Sequence, residues 1–352
     1  MSIGESTWQG YMGAMNKESS MKLLDAYYDA GGNFIDTANL YQDGTSEEII
    51  GEWAEKRGIR DRLFIATKYA HNFHLMKREE PHRILFAGGN AKSLHTSIKG
   101  SLERLRTDYI DLLYVHWWDY DTSVEEVMQS LHTLILQRKV LYLGISDAPA
   151  WVVSMANQYA KDHALTPFSV YQGAWNVLDR SFEREIIPMA RAQGMALAPW
   201  NVLCGGRIRS DAEEERRAAT NENGRGGAAW RRTEKETLMS QVLEKVAAEV
   251  GAKHITSVAI AYVMQKTTHV FPIIGGRKVE HLLQNIEALD ISLSDEHISW
   301  IENVVQFDPG FPTNLIGNGV TYNGLWLSSG KLDKIRIEPI RPKPRSTGNE
   351  KV

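Results

Sequence analysis

A single cysteine, Cys204, stands among 352 residues. That scarcity excludes an internal disulfide framework and a cysteine-built metal cluster, and it suits a reducing compartment. No run approaches the roughly 18 apolar residues that a membrane span requires. The opening MSIGESTWQGYMGAMNK has neither the basic start nor the apolar stretch of a secretory signal. Charge of one sign is also scarce: 40 Lys and Arg face 44 Asp and Glu, a net of −4. With both signs interspersed, no basic field points to nucleic acid or to an anionic membrane, so a small neutral molecule is the expected partner. A cytoplasmic location is expected, and nothing in the sequence fixes an oligomeric state. No Gly-x-Gly-x-x-Gly opens the first repeating unit, which counts against a Rossmann dinucleotide fold.

What is present is ordinary in amount and regular in order. Hydrophobic residues make up 43% and charged residues 24%, enough to bury a large core. Short apolar runs alternate with amphipathic segments from about residue 18 to residue 289. The runs NFID, LFIATK, IDLLYVH, VLYLGIS, FSVYQ, MALAP and VFPIIG lack strand-type alternation, as parallel strands buried on both faces do. Between them lie eight helical segments, from KESSMKLLDAYYDAGG to VEHLLQNIEAL. This order predicts an α/β fold, and the number of units favours a closed (β/α)8 barrel of the TIM type over an open sheet. Two further helices are predicted in ETLMSQVLEKVAAEVG and SDEHISWIENVV.

Two long segments, HNFHLMKREEPHRILFAGGN and GGRIRSDAEEERRAATNENGRGG, read as functional loops. The barrel domain is expected to span residues 1–310. Residues 311–352 then form a C-terminal extension whose Pro-rich, basic end RPKPRSTGNEKV reads as disordered.

In a barrel of this kind chemistry sits at the C-terminal ends of the strands. Those ends supply Asp36, Lys68, His116, Ser146, Gln172 and, after VFPIIGG, Arg277, with Tyr41 in the first loop above them. Singly, an Asp at a strand end is commonly a turn residue and a His beside two Trp is commonly packed core. A lysine drawn into a barrel mouth needs a partner for its charge, and Asp36 can supply it. With Lys68 near Tyr41, the ammonium is expected to lower the phenol's pKa and make it an acid catalyst. A carbonyl oxygen between Tyr41 and His116 would meet two donors aimed where negative charge develops. No protein nucleophile accompanies them.

The segments FIDTANLYQDGTSEEIIG, ATK, DLLYVHWWD, LGIS and IIGGRKVEHLLQNI resemble, in order, the signature segments of the aldo-keto reductase superfamily over about residues 4–310. GGNFIDTANLYQ, VHWWDY, YQGAWNVLDR and ALAPWNVLCGGR are most similar to its fungal aryl-alcohol dehydrogenase and norsolorinic acid reductase group. The resemblance implies NADPH-dependent reduction of an aldehyde or ketone on an aromatic or polyketide-like molecule, reversible to alcohol oxidation. Its alternative is a non-catalytic nucleotide-sensing subunit like the β subunits of potassium channels. Carried onto this chain, it makes Tyr41 the general acid, Lys68 and Asp36 its tuning pair, and His116 the carbonyl-orienting residue. Ser146, Asp147 and Gln172 would hold the nicotinamide carboxamide, with Asp147 in place of the usual Asn. Gly205 and Arg207 would lie over the pyrophosphate. Arg277 would take the 2′-phosphate that favours NADP(H), and His281, Gln284 and Asn285 would border the adenine. Where relatives stack a Tyr on the nicotinamide this chain has Leu197, with Trp200 further on, so either Trp200 or an aliphatic face covers the ring.

Trp117, Trp118, Tyr69, Phe73 and Trp200 are candidates to line a pocket for a flat substrate. His71 and His74 form an H-x-x-H pair without a third ligand, so no metal is expected, and Cys204 reads as an inert thiol. Relatives carry an apolar strand just before the segment matching MSIGE. Its absence here predicts unpaired edges at Asn33 to Asp36 and at Val270 to Ile274, and a truncated gene model or variant of low stability. KIRIEPI, residues 334–340, is a poor substitute for a doubly buried strand.

Overall fold

A computed structural model describes residues 2–4, 15–73, 79, 81–220, 231–335 and 338–342. The apolar runs form one sheet of six parallel strands in sequence order: β1 (Phe34–Asp36), β2 (Phe64–Tyr69), β3 (Ile110–Val115), β4 (Val140–Ser146), β5 (Val170–Gln172) and β6 (Ala196–Leu197). The seventh run continues the sheet only as a parallel bridge, Leu197 to Val270, where Phe271 N–H donates to the Leu197 carbonyl at 2.8 Å. Among the described residues the outer edges of β1 and of this seventh segment have no strand partner.

The sheet is curled. In a flat sheet, β1 and β5 would stand about 19 Å apart, four spacings of ~4.8 Å. Yet the Gln172 amide on β5 donates to Asp36 on β1 at 2.9 Å. A hydrogen bond across the interior requires the strands to wrap toward a barrel.

Alternate residues sort into two layers. Ile65, Leu113, Val115, Leu143 and Ile145 face outward and join the main core with the helices, while Ala66, Leu112 and Tyr114 face inward and meet Phe34, Phe64 and Val170. Burying a Leu or Ile contributes about 1.5–3 kcal/mol, so the outward layer fastens each strand to its helix.

The helices are α1 (Lys17–Asp29), α2 (Thr45–Arg57), α3 (Ala91–Leu105), α4 (Val124–Leu136), α5 (Ala150–Asp162) and α6 (Phe182–Gln193). There follow α7 (Asp211–Thr220), α8 (Glu234–Val250), α9 (Ile255–Lys266), α10 (Val279–Ile286), α11 (Asp295–Val304), and two short helices, α12 (Thr313–Ile316) and α13 (Gly324–Leu327). Their starts are set by side-chain caps: Asn16 accepts from Ser19, Asn90 from Ser93 and Ser123 from Glu126, and Thr233 forms a reciprocal box with Glu236. All eight predicted helices of the alternating pattern are present, and both extra ones, α8 and α11.

Helix α7 lies where a loop was expected. Its sequence DAEEERRAAT has no apolar stripe, so periodicity gives no sign of it; ion pairs from Glu213 to Arg216 and Arg217, both on its own face, hold it instead. No helix of the described residues is long and apolar enough to cross a membrane. His74, parts of both long loops, residues 336–337 of KIRIEPI and the tail from residue 343 fall outside the described residues.

Candidate active site

Tyr41 begins a tight turn, Tyr41–Gly44, directly after β1. Gln42, Asp43 and Gly44 follow with φ of 52°, 54° and 91°. Three successive left-handed residues reverse the chain sharply and leave the Tyr41 ring buried with Ala38, Leu40 and Phe73. Its hydroxyl stands 3.5 Å from His116 Nε2, too far for a strong bond between them.

Lys68 lies fully buried on β2, its ammonium bonded to Asp36 and, at 2.7 Å, to the Thr37 carbonyl. The second Asp36 oxygen takes the Gln172 amide. Burial alone works against the charge of Lys68, but Asp36 and Tyr41 together outweigh it and hold the lysine above its ordinary pKa. The lysine is therefore a cation, 5.0 Å from the centre of the Tyr41 ring.

The expected lowering of the phenol is not found. Burial raises the pKa of Tyr41 and Asp36 adds to that; the pull of Lys68 offsets only part. His116 is neutral, driven well below its ordinary pKa by burial, by Lys68 and by His71. Its Nδ1 is buried and has no hydrogen-bond partner among the described residues. Placing the proton on Nε2 leaves only a bare lone pair unmatched at Nδ1 and turns a donor toward Tyr41.

The carboxamide positions behave differently from one another. Ser146 is buried at the end of β4 and donates to Asp147 Oδ2 at 3.3 Å, while Asp147 Oδ1 accepts from Trp200 Nε1 at 3.2 Å. Burial raises the Asp147 pKa against those two bonds. Gln172 serves Asp36, a role that nothing in the sequence indicates because 136 residues separate the two. Leu197 pairs in register with the outward-facing Tyr171 and belongs to the main core. Leu197 therefore faces the helices, while Trp200 is tethered to Asp147 past that strand end.

Gly205 and Gly206 have φ of 65° and 90°, and a Cβ on either would meet none of the described residues within 4 Å, which leaves room there for a close ligand. Arg207 is held by Glu236 at 2.9 Å and by the Cys204 carbonyl at 3.1 Å. Arg277 is exposed and makes no hydrogen bond or ion pair among the described residues. On α10, His281 is kept below its ordinary pKa by burial, with Lys278 and Arg217 adding to it; Gln284 and Asn285 stand on the same helix. An open glycine pair, a guanidinium with no partner among the described residues and polar strand ends fit an anionic dinucleotide.

The aromatic residues divide. Tyr69 is fully buried with its hydroxyl on the Gly89 carbonyl, and Trp118 is partly buried against the main core. Trp117 and Phe73 remain near the Tyr41–His116 pair, and His71 joins them, 3.5 Å from the Trp117 ring and 4.3 Å from that of His116. Cys204 is buried, and burial pushes its thiol up to about 12, which makes it unreactive.

The model of the aldo/keto reductase family matches residues 1–306. The chain is 56% identical, over 97% of its length and 90% of the relative's, to the NADP(+) aryl-alcohol dehydrogenase of Phanerodontia chrysosporium. It is 49% identical to aldo-keto reductase ausK of Emericella nidulans and 48% identical to norsolorinic acid reductase A of Aspergillus parasiticus, in each case over 90% of this chain and 79% of the relative. Asp36, Lys68 and His116, gathered around Tyr41, thus stand in a chain that belongs to the aldo/keto reductase family.

Proposed function

We propose that the protein is an NADP(H)-dependent reductase of aldehydes or ketones on aromatic or polyketide-like molecules, reversible to alcohol oxidation and working in the cytosol. The observation that carries this reading is the facing pair of Tyr41 hydroxyl and His116 Nε2, 3.5 Å apart, with the buried Lys68 cation behind the phenol. A carbonyl oxygen entering there takes a hydrogen bond from each. Tyr41 transfers its proton to that oxygen as negative charge develops on it, and Lys68 stabilises the phenolate left behind. The raised pKa of the buried phenol keeps the proton in place at neutral pH until that moment. Asp36 and the Thr37 carbonyl hold Lys68, and neutral His116 donates without adding a second cation.

Ser146, Asp147 and Gln172 would hold the carboxamide of NADPH, Trp200 would cover its ring, and Gly205, Arg207, Arg277, His281, Gln284 and Asn285 would hold the rest. The cofactor, when bound, supplies the hydride, which accounts for a site without a nucleophile. Trp117, Phe73 and His71 give the substrate's ring a flat apolar wall and keep water from the oxygen. The test is NADPH consumption with substituted benzaldehydes and aromatic ketones. Turnover is expected with several of them; tight NADPH binding with no turnover on any would overturn the proposal.

A further inference from the structure

Lys68, Tyr114 and Gly144 are register partners on β2, β3 and β4, so their side-chain directions agree and all three face the barrel interior. Tyr114 is fully buried there. Its ring fits because Gly144 has no side chain: a Cβ there would lie 2.5 Å from Tyr114 Cδ1 and 2.6 Å from Cε1. The ring centre stands 5.6 Å from Lys68 Nζ, within the range over which a ring attracts a cation, and the Tyr41 ring stands 5.0 Å away. Asp36 and the Thr37 carbonyl take two of the ammonium's three donors, and the Tyr41 hydroxyl lies within reach of the third. The rest of the ammonium's surroundings are the Tyr41 and Tyr114 rings.

We infer that Tyr114 is a positioning residue for the Lys68 cation: its ring, admitted by Gly144, helps keep the lysine charged and in place beside Tyr41. The inference rests on the reading of Tyr41 and Lys68 as acid and tuning cation. A Phe would present the same ring without a buried hydroxyl, so the inference concerns the ring and not the hydroxyl. The ring's quadrupole is what a Leu lacks. The other groups acting on Lys68 are Asp36 from β1, Tyr41 from the turn after it, His71 from the loop after β2, His116 from the end of β3 and Asp147 from the end of β4. Of these, the carboxylates favour the charge. The two imidazoles are neutral, so the ring of Tyr114 adds to the carboxylates without a cation opposing it.

The experiment compares Tyr114→Leu, Tyr114→Phe and Gly144→Ala with the unmodified chain, measuring kcat and KM for a benzaldehyde substrate as functions of pH. Without the ring, Lys68 loses its proton at lower pH, so the alkaline limb of kcat moves down by about one pH unit in Tyr114→Leu. KM for the aldehyde changes less than twofold, because Tyr114 lies beneath the mouth. Tyr114→Phe keeps the ring and restores the limb to within about 0.3 unit, a rescue that packing by a similar volume does not give to Leu. Gly144→Ala displaces the ring and moves the limb in the same direction as Leu, and it decides the matter if Tyr114→Leu fails to fold. A limb in both Leu and Ala variants that superimposes on that of the unmodified chain overturns the inference, as does a Phe variant shifted as far as Leu. Tyr41→Phe is assayed alongside: if it keeps full turnover, the reading of the acid fails first, whatever Tyr114 does.

Discussion

The Gln172 amide and the Asp36 carboxylate meet across the barrel interior at 2.9 Å, which leaves both Asp36 oxygens engaged, one by Gln172 and one by Lys68. Gln172→Leu removes one of those partners and leaves a buried Asp36 oxygen without it. The cost is expected to be about 1–3 kcal/mol of stability, read as a lower urea midpoint with unchanged slope. A midpoint equal to that of the unmodified chain would show that Asp36 is satisfied without Gln172.

Tyr41→Phe deletes the proton donor and keeps the ring among Ala38, Leu40 and Phe73. Turnover in a chemistry-limited assay is expected to fall by about 10²- to 10⁴-fold, with NADPH affinity nearly unchanged. Near-normal turnover would remove Tyr41 from the role of acid.

Arg277 is exposed and has no protein partner among the described residues, so its loss leaves no orphaned group behind. Arg277→Ala is expected to weaken NADPH binding by about 10- to 100-fold while leaving NADH binding level, since only NADPH carries the 2′-phosphate. Fluorescence titration of both nucleotides measures this. Equal losses would make the arginine structural.

His71 is held at about 4, below its ordinary 6.5, by burial and then by the Lys68 charge. A depressed histidine means that the unfolded chain takes up the proton first as pH falls. Stability from this residue is therefore complete above about pH 6.5 and is lost progressively toward pH 4, by up to about 3 kcal/mol. In His71→Gln the difference in urea midpoint between pH 7 and pH 5 should shrink. An undiminished difference would place the acid sensitivity in other groups.

The parts legible in the sequence are those that depend on local pattern. The segment AKSLHTSIKGSLERL reads as a helix, and α3 begins and ends where it does. IDLLYVH reads as a buried strand and is one, apart from its final His. Asp36, Lys68 and His116 were identifiable because a barrel sends every strand end to one mouth, so residue type and strand position suffice. What was not legible depends on curvature and depth. The meeting of Gln172 with Asp36 follows from how far the sheet wraps, and the raised phenol of Tyr41 from how completely the turn and Phe73 exclude water. Tyr114 reads as an ordinary core aromatic until its register with Lys68 and Gly144 is known. Leu197 lines up with a cofactor-facing position by motif, yet its pairing with Tyr171 turns it to the helices.

The turn at Tyr41 carries a further consequence for anyone selecting sturdier versions of this enzyme. Gln42, with φ of 52°, holds a conformation that costs a non-glycine residue on the order of 1 kcal/mol or more, and Gln42→Gly relieves that strain while giving up a buried side chain. A screen scored by heat resistance alone will therefore enrich changes at Gln42 and Asp43. Those same changes free the backbone next to the one hydroxyl whose aim matters most, and a screen scored by turnover will discard them. The two selections pull the same short stretch of chain in opposite directions, which makes it the place where a library designed for robustness should be left untouched.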